Sequence, residues 1–338
     1  MKILVTGGAG YVGSILISDL IKQHDVICLD RFFFGKNYLS QEKFTNKVEL
    51  IQDDIRWFNP KILENIDLVI DLAAMSNDPS GELHPRKTFD INHLGRTRVA
   101  KLSKKFGVKR YILASSASVY GFQEKIVNEE STTNPLTTYS KSARLAELDI
   151  LPLDDDNFTV TVLRFGTLFG VSPRMRFDLG TNAMIYSLFD TGKIIVDGDG
   201  KQKRAVLHVK DASHVYQTII NAPEEKIKKQ IFNGGSDDLN YDINEVAQQI
   251  GESTGKSFEI EHKGTNDLRS YTASFAKIKE ILNFSPKYSI KDGVDEIYQG
   301  LDSGSIKKTK KTITLEWYKH LISSPELTDQ VKMYDTIL

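Results

Sequence analysis

The run Lys2-Ile3-Leu4-Val5-Thr6-Gly7-Gly8-Ala9-Gly10-Tyr11-Val12-Gly13 constrains this chain more than any other stretch. Ile3 to Val5 is a short apolar segment of the kind buried in a parallel sheet, and the glycines after it let the backbone turn sharply where a Cβ would clash. A helix beginning near Tyr11 then points its unpaired N–H groups and the positive end of its dipole at that turn, which suits a pyrophosphate. Gly8, Gly10 and Gly13 satisfy G-x-G-x-x-G, and Thr6 with Gly7, Gly10 and Gly13 also satisfies T-G-x-x-G-x-x-G. Gly7, Gly10, Tyr11, Val12 and Gly13 are therefore the first candidate binding residues.

The next segments extend this start into a β-α-β unit. Ile17, Leu20 and Ile21 recur at helical spacing between Ser14 and Lys22, and Val26 to Leu29 reads as a second strand ending in Asp30. An acid there, 17 residues after Gly13, is placed to accept hydrogen bonds from an adenosine ribose and to repel a 2′-phosphate, which favours NAD over NADP. Arg31 follows and offers a 2′-phosphate a partner. Val48–Ile51 and Leu68–Leu72 read as the third and fourth strands. Asp53-Asp54-Ile55 follows the third, and the small residues Ala73 and Ala74 follow the fourth, where they let backbone lie close to a ligand. A helical pattern from Thr88 to Phe106, the strand Tyr111–Ala114, a helix from Tyr139 through Glu147 and the strand Phe158–Leu163 continue the alternation. The fold expected is α/β with a doubly wound, mostly parallel sheet, its ligands at the carboxyl ends of the strands. Ser115 to Gly121 lies at one such end. Beyond Thr167 the alternation weakens, which predicts a smaller C-terminal α+β domain with the active site between the two.

Composition narrows the setting. A formal net charge of -1 over 338 residues gives no global field for nucleic acid or an anionic membrane. Cys28 is the only cysteine and lies in an apolar strand, which excludes a disulfide framework and a thiolate metal cluster. No apolar run approaches the ~20 residues of a membrane span, and the start of the sequence has no basic n-region or cleavage site, so a cytoplasmic protein is expected. His208 and His214 have no acid cluster beside them, so no metal site is expected. Lys307 to Lys311 reads as a solvated charge run.

Taken in order, the residues resemble the extended short-chain dehydrogenase/reductase family, the NAD-dependent epimerases and dehydratases of nucleotide sugars. The resemblance is carried by Thr6 to Gly13, Asp30, Asp54-Ile55, Leu72-Ala73-Ala74, Asn92 with Gly95, Ser115 to Gly121, Tyr139 with Glu147, Leu163-Arg164-Phe165, Asp197-Gly198-Asp199-Gly200 through Arg204 to His208-Val209, and Arg269-Ser270-Tyr271. It implies a Rossmann-type NAD-binding domain over 1–166 with a return segment at about 205–236, and a nucleotide-sugar domain over 167–204 and 237–338. It implies cofactor contacts at Asp54 and Ile55 on the adenine side, at Leu72, Ala73 and Ala74, and at Asn92. It further implies Ser116 as hydrogen-bond partner of the reacting sugar hydroxyl, and Tyr139, as phenolate, as the general base. Arg204 and Arg269 match arginines near the nucleotide diphosphate, to which a guanidinium fork is suited, and Asn182 matches the asparagine that opens the substrate-domain helix. A homodimer through the helices around Asn92–Phe106 and Tyr139–Leu151 is expected by the same analogy.

Two departures stand out. The family pattern Tyr-x-x-x-Lys puts a lysine one turn after the tyrosine, and that position is Ala143. Lys141, two residues after Tyr139, faces roughly the opposite side of an ideal helix and substitutes only if its long side chain curls back. The sugar 4,6-dehydratases of the family carry Asp-Glu after the catalytic Ser/Thr, and here those positions are Ala117-Ser118. The reading is an NAD-dependent nucleotide-sugar epimerase working through a 4-keto intermediate. Net 4-dehydrogenase or 4-ketoreductase activity is the alternative; a dehydratase and a non-catalytic NAD-binding protein rank below it.

Overall fold

The computed structural model describes residues 1–41, 44, 47–264 and 269–338 of the chain. In chain order its strands are β1 Lys2–Thr6, β2 Asp25–Asp30, β3 Val48–Gln52, β4 Leu68–Asp71, β5 Arg110–Ser116, β6 Thr159–Phe165, β7 Thr167–Phe169, β8 Lys193–Asp197, β9 Lys203–His208, β10 Gln230–Gly234, β11 Asn240–Asp242 and β12 Glu259–Lys263. Seven of these form one sheet in the order β10-β6-β5-β4-β1-β2-β3, parallel throughout. The order reverses between β1 and β4, which opens a crevice above their carboxyl ends.

Alternation along each strand builds the two layers of core. Ile3 and Val5 of β1 pack with Leu16, Ile17 and Ile219, under helices Tyr11–Leu20 and Val209–Asn221. Leu4 points the other way, into a cluster with Val99, Ala146 and Ile150 under helices Arg96–Lys105 and Thr138–Ile150. Each of these fully buried aliphatic side chains contributes roughly 1.5–3 kcal/mol. Register carries β1 and β4 to the crevice together, Thr6 opposite Asp71. Gly7 then leaves the sheet with φ +67°, where a Cβ would lie 2.7 Å from Ala73 Cα. A Cβ on Gly13 would fall 2.6 Å from Gly8 Cα. These two glycines are required by packing before any ligand is considered.

Two smaller sheets, β7-β9-β11 and β8-β12, stand beside the large one. A separate core of Phe169, Ile185, Leu188, Val246, Ile250 and Val294 holds them to helices Gly180–Thr191, Ile243–Ser253 and Ile290–Asp302. The helix expected over Thr88–Phe106 is broken. It runs as Pro85–Phe89, a π-helical turn Asp90–Gly95, then Arg96–Lys105. Asn92 Oδ1 in that turn accepts from Met75 N at 2.8 Å and its Nδ2 donates to Met75 O at 3.2 Å, fastening the loop after β4. The last helices, Thr314–Ser323 and Pro325–Val331, bring Trp317, Tyr318, Leu321 and Leu338 against Met75, Phe33 and Phe34.

Candidate active site

A cavity of about 920 Å³ opens above the β1–β4 crevice. At one end Gly10 precedes helix Tyr11–Leu20 without a side-chain cap, so the first-turn N–H groups face the cavity unclaimed by any cap. Tyr11 is held from behind, donating from its hydroxyl to Gly170 O at 2.6 Å and accepting from Asn182 Nδ2 at 3.2 Å. Asp30 accepts from Ala9 N at 2.9 Å and Phe32 N at 2.7 Å, which ties the glycine turn to the end of β2. Burial pushes its carboxyl above the ordinary range, against those two N–H groups and the fields of Arg174 and Arg31. Asp54 is the opposite case. Burial raises it too, but the Arg56 guanidinium and N–H and the charge of Arg31 outweigh burial and hold it low. Arg31 itself donates to Asp54 Oδ2 at 2.5 Å and to the carbonyls of Val331 at 2.8 Å and Thr336 at 3.3 Å. Both its terminal nitrogens are thus engaged by protein oxygens, while its Nε is buried without a hydrogen-bond partner.

The middle of the cavity holds the two candidate catalytic side chains. Ser116 ends β5 and its Oγ accepts from Ser118 N at 3.1 Å. Tyr139 stands in the first turn of helix Thr138–Ile150, whose start is fixed by a reciprocal cap between Thr137 and Ser140. Ser116 and Tyr139 line the same cavity. The protein packed around Tyr139 and the carboxylate of Asp78 push its phenol above the usual value; Ser116, Arg96 and Arg176 pull the other way. Further along the helix Glu147, buried, takes Arg164 in a two-point pair at 2.9 and 2.6 Å and accepts from Ser115 Oγ at 2.5 Å. That pair locks the helix carrying Tyr139 to β5 and β6.

At the far end Arg204 is buried and donates to Lys203 O at 2.7 Å and Arg269 O at 2.6 Å. Arg269 forms an ion pair with Asp78, and Asp78 also receives the Thr137 hydroxyl that caps the tyrosine helix. Arg176 makes a two-point pair with Asp178 at 3.0 Å on each arm and donates to Ser76 Oγ at 3.2 Å.

The structure thus gathers Gly7, Gly10, Tyr11, Val12, Gly13, Asp30, Asp54, Ile55, Leu72, Ala73, Ala74, Ser116, Tyr139, Arg204 and Arg269 around one cavity. Three candidates are not on its wall. Asn92 holds Met75 instead. Asn182, fully buried, donates to Arg176 O at 2.9 Å and accepts from Gly170 N at 2.9 Å, so it shapes the segment between β7 and the next helix. Lys141 is the clear correction. It lies on the exposed side of its helix, while Ser142 and Ala143 occupy the buried side, so it does not replace the missing lysine. The sequence reading missed Arg96, Arg174, Tyr318 and Leu338, all on the cavity wall. Arg174 lies over the Phe34 ring at 3.7 Å, and burial with the neighbouring Arg176 lowers it to about 9. A buried arginine carries no motif; only its position marks it.

Fold and cavity together define the class: an α/β protein of the dinucleotide-binding, Rossmann type. The NAD dependent epimerase/dehydratase family model matches residues 3–235, and the chain belongs to that family; it is an NAD-dependent enzyme of the extended short-chain dehydrogenase/reductase type. Among its relatives is a Bacillus subtilis (strain 168) protein described as an uncharacterized UDP-glucose epimerase, YtcB, 27% identical over 89% of this chain and 100% of that one. Another is UDP-glucuronic acid decarboxylase 1 of Arabidopsis thaliana, 30% identical over 87% of this chain and 68% of the relative. The Bacillus cereus UDP-glucuronic acid 4-epimerase, solved with UDP-glucuronic acid and NAD, superposes with a TM-score of 0.79 at 23% identity over 90% of this chain and 99% of that one, which shows the shared fold. No helix among the described residues is long and apolar enough to cross a membrane, and no group of three or more His, Cys, Asp or Glu among them is arranged to hold a metal.

Proposed function

We propose that this enzyme is a nucleotide-sugar epimerase, with UDP-sugars as the substrate class, working through a 4-keto intermediate. The observation that carries the reading is Ser116, followed in sequence by Ala117-Ser118, and Tyr139 on the wall of the same cavity as the glycine turn and Arg204 and Arg269. The glycine turn, Asp30 and the Leu72–Ala74 segment would hold NAD, which would supply a reversible hydride acceptor. Ser116 orients the sugar hydroxyl, and Tyr139 takes its proton as the ring carbon gives up hydride. The proton returns from Tyr139 when the ring, turned over, is reduced on its other face. Elimination of water needs a further acid and base beside the serine, and neither Ala117 nor Ser118 supplies one. The division into an NAD domain over 1–166 with 205–236 and a substrate domain over the remainder belongs to this reading, supported by the separate core around Phe169 and Ile185. A homodimer belongs to it as well: Leu94, Leu145 and Leu148 are exposed on adjoining helices.

The test is incubation with UDP-, GDP-, dTDP- and CDP-sugars while following product and NADH absorbance. An epimer formed without NADH accumulation is expected. Stoichiometric NADH, or release of carbon dioxide without an epimer, would overturn the reading in favour of a net dehydrogenase or a decarboxylase.

A further inference from the structure

A tyrosine that works as a phenolate inside a protein needs a cation beside it, because burial alone pushes the phenol the wrong way. One turn after Tyr139, Ala143 supplies a methyl group, and Lys141 is exposed. The neighbouring helix supplies the charge. Asn92 Nδ2 meets Ser142 Oγ at 3.2 Å, so the π-turn packs directly on the tyrosine helix. Arg96 is one turn beyond Asn92 and therefore extends from the same face. Its side chain is 3% exposed, with Nε 3.2 Å from Asp71 Oδ2 and Nη2 2.9 Å from Asp71 O and 2.6 Å from Ala114 O. These bonds fix the guanidinium over the carboxyl ends of β4 and β5, on the wall it shares with Ser116 and Tyr139.

We propose that Arg96 is the positioning cation of the tyrosine site, delivering from the helix Arg96–Lys105 the charge that Ala143 cannot. Arg96 acts through Tyr139: its field favours the phenolate, from the carboxyl ends of β4 and β5 where its bonds to Asp71 and Ala114 hold it. The charged and titratable groups around Tyr139 are Asp78 from the loop after β4, Arg96, Arg176 from the segment before helix Gly180–Thr191, and Tyr216 from helix Val209–Asn221. Asp78 opposes the anion. Arg176 favours it but is closed into its pair with Asp178. Asp71, the partner of Arg96, also accepts from the hydroxyls of Thr6 at 2.6 Å and Tyr111 at 2.5 Å, so Arg96 is one of three donors that share its charge.

The role rests on Tyr139 being the base, so the experiment reads the phenolate both with and without turnover. In full-length, NAD-loaded protein, the acid limb of the kcat–pH profile and the ultraviolet phenolate signal (difference against Tyr139→Phe) are measured for wild type, Arg96→Met, Arg96→Lys, Arg176→Met and Arg96→Met/Ala143→Lys. Arg96→Met is expected to move both upward by about one to three pH units, the range for a lost opposite charge. Arg96→Lys should move them less, and Ala143→Lys should return the double variant toward wild type. A limb and phenolate signal unmoved in Arg96→Met that still binds NAD, or moved only by Arg176→Met, overturns the proposal. Because Arg96→Met also breaks bonds to Asp71 and Ala114, Ala143→Lys alone is the second arm. With the cation already present, neutral-pH kcat should stay within about twofold, whereas a gain of about tenfold or more, equivalent to a pKa lowered by a whole unit, would show that the site had lacked one. Where no nucleotide sugar turns over, the epimerase reading fails, and the phenolate titration still decides the role of Arg96.

Discussion

Tyr139 and Asp30 carry the sharpest consequences of single atoms. Tyr139→Phe removes the proton acceptor and leaves the ring, so kcat should fall roughly 10²–10⁴-fold, the usual worth of a positioned acid or base, while NAD remains bound; single-turnover assays with cofactor analysis check both. Asp30→Ala removes a carboxylate from the ribose end of the cavity and should weaken NAD roughly ten- to a hundredfold, as for a lost charge-assisted hydrogen bond, without an equal gain for NADP, because Arg31 is engaged by Asp54 and the tail carbonyls. Calorimetric titration with both nucleotides measures the ratio. These residues were legible in the sequence, since a backbone turn, a strand-end acid and a tyrosine opening a helix are all local patterns. Arg96 and Tyr318 were not. Their roles depend on which helix lies beside which, and spacing within one segment holds no record of that.

Between helix and sheet the decisive element is the tyrosine helix Thr138–Ile150, held at three points along its length: the Thr137–Ser140 cap, the Asp78–Thr137 bond and the Glu147–Arg164 pair. Arg164→Met strands Glu147 in the core without its main partner and should cost about 3–5 kcal/mol, read as a fall in the denaturant midpoint at constant slope. Asp178 shows the pH side of the same principle. Burial raises its carboxyl, but Arg176 lowers it more, to about 2 from an ordinary 3.8. A depressed folded-state value means that its stabilisation is complete above 3.8 and disappears as pH falls from there through about 2. Asp178→Asn should therefore flatten the acid limb of stability in that window in a melting-temperature series from neutral pH to pH 2. The expected helix over Thr88–Phe106 and its observed break make the limit of pattern reading concrete. Apolar periodicity registers a helical stretch, whereas the π-turn arises from Asn92 reaching back to Met75.

Across the whole molecule the exposed Leu94, Leu145 and Leu148 form the surface on which the dimer reading rests. Leu94→Glu/Leu148→Glu should shift the sedimentation coefficient from dimer to monomer at micromolar concentration with little loss of melting temperature, and an unchanged coefficient would remove that reading. The mostly parallel, doubly wound sheet followed from alternation of strand and helix, whereas the order of its strands did not. The final helices did not, because the cluster of Trp317, Tyr318 and Leu338 with Phe33 and Phe34 joins segments nearly three hundred residues apart. Arg31 binds Val331 O and Thr336 O with the guanidinium whose other arm holds Asp54. The end of the cavity where Asp30 and Asp54 stand is consequently bounded by Ile337 and Leu338 as well as by the Arg31 that follows β2. A nucleotide bound there would sit against the first and the last elements of the fold together, and its binding would stabilise both against local opening.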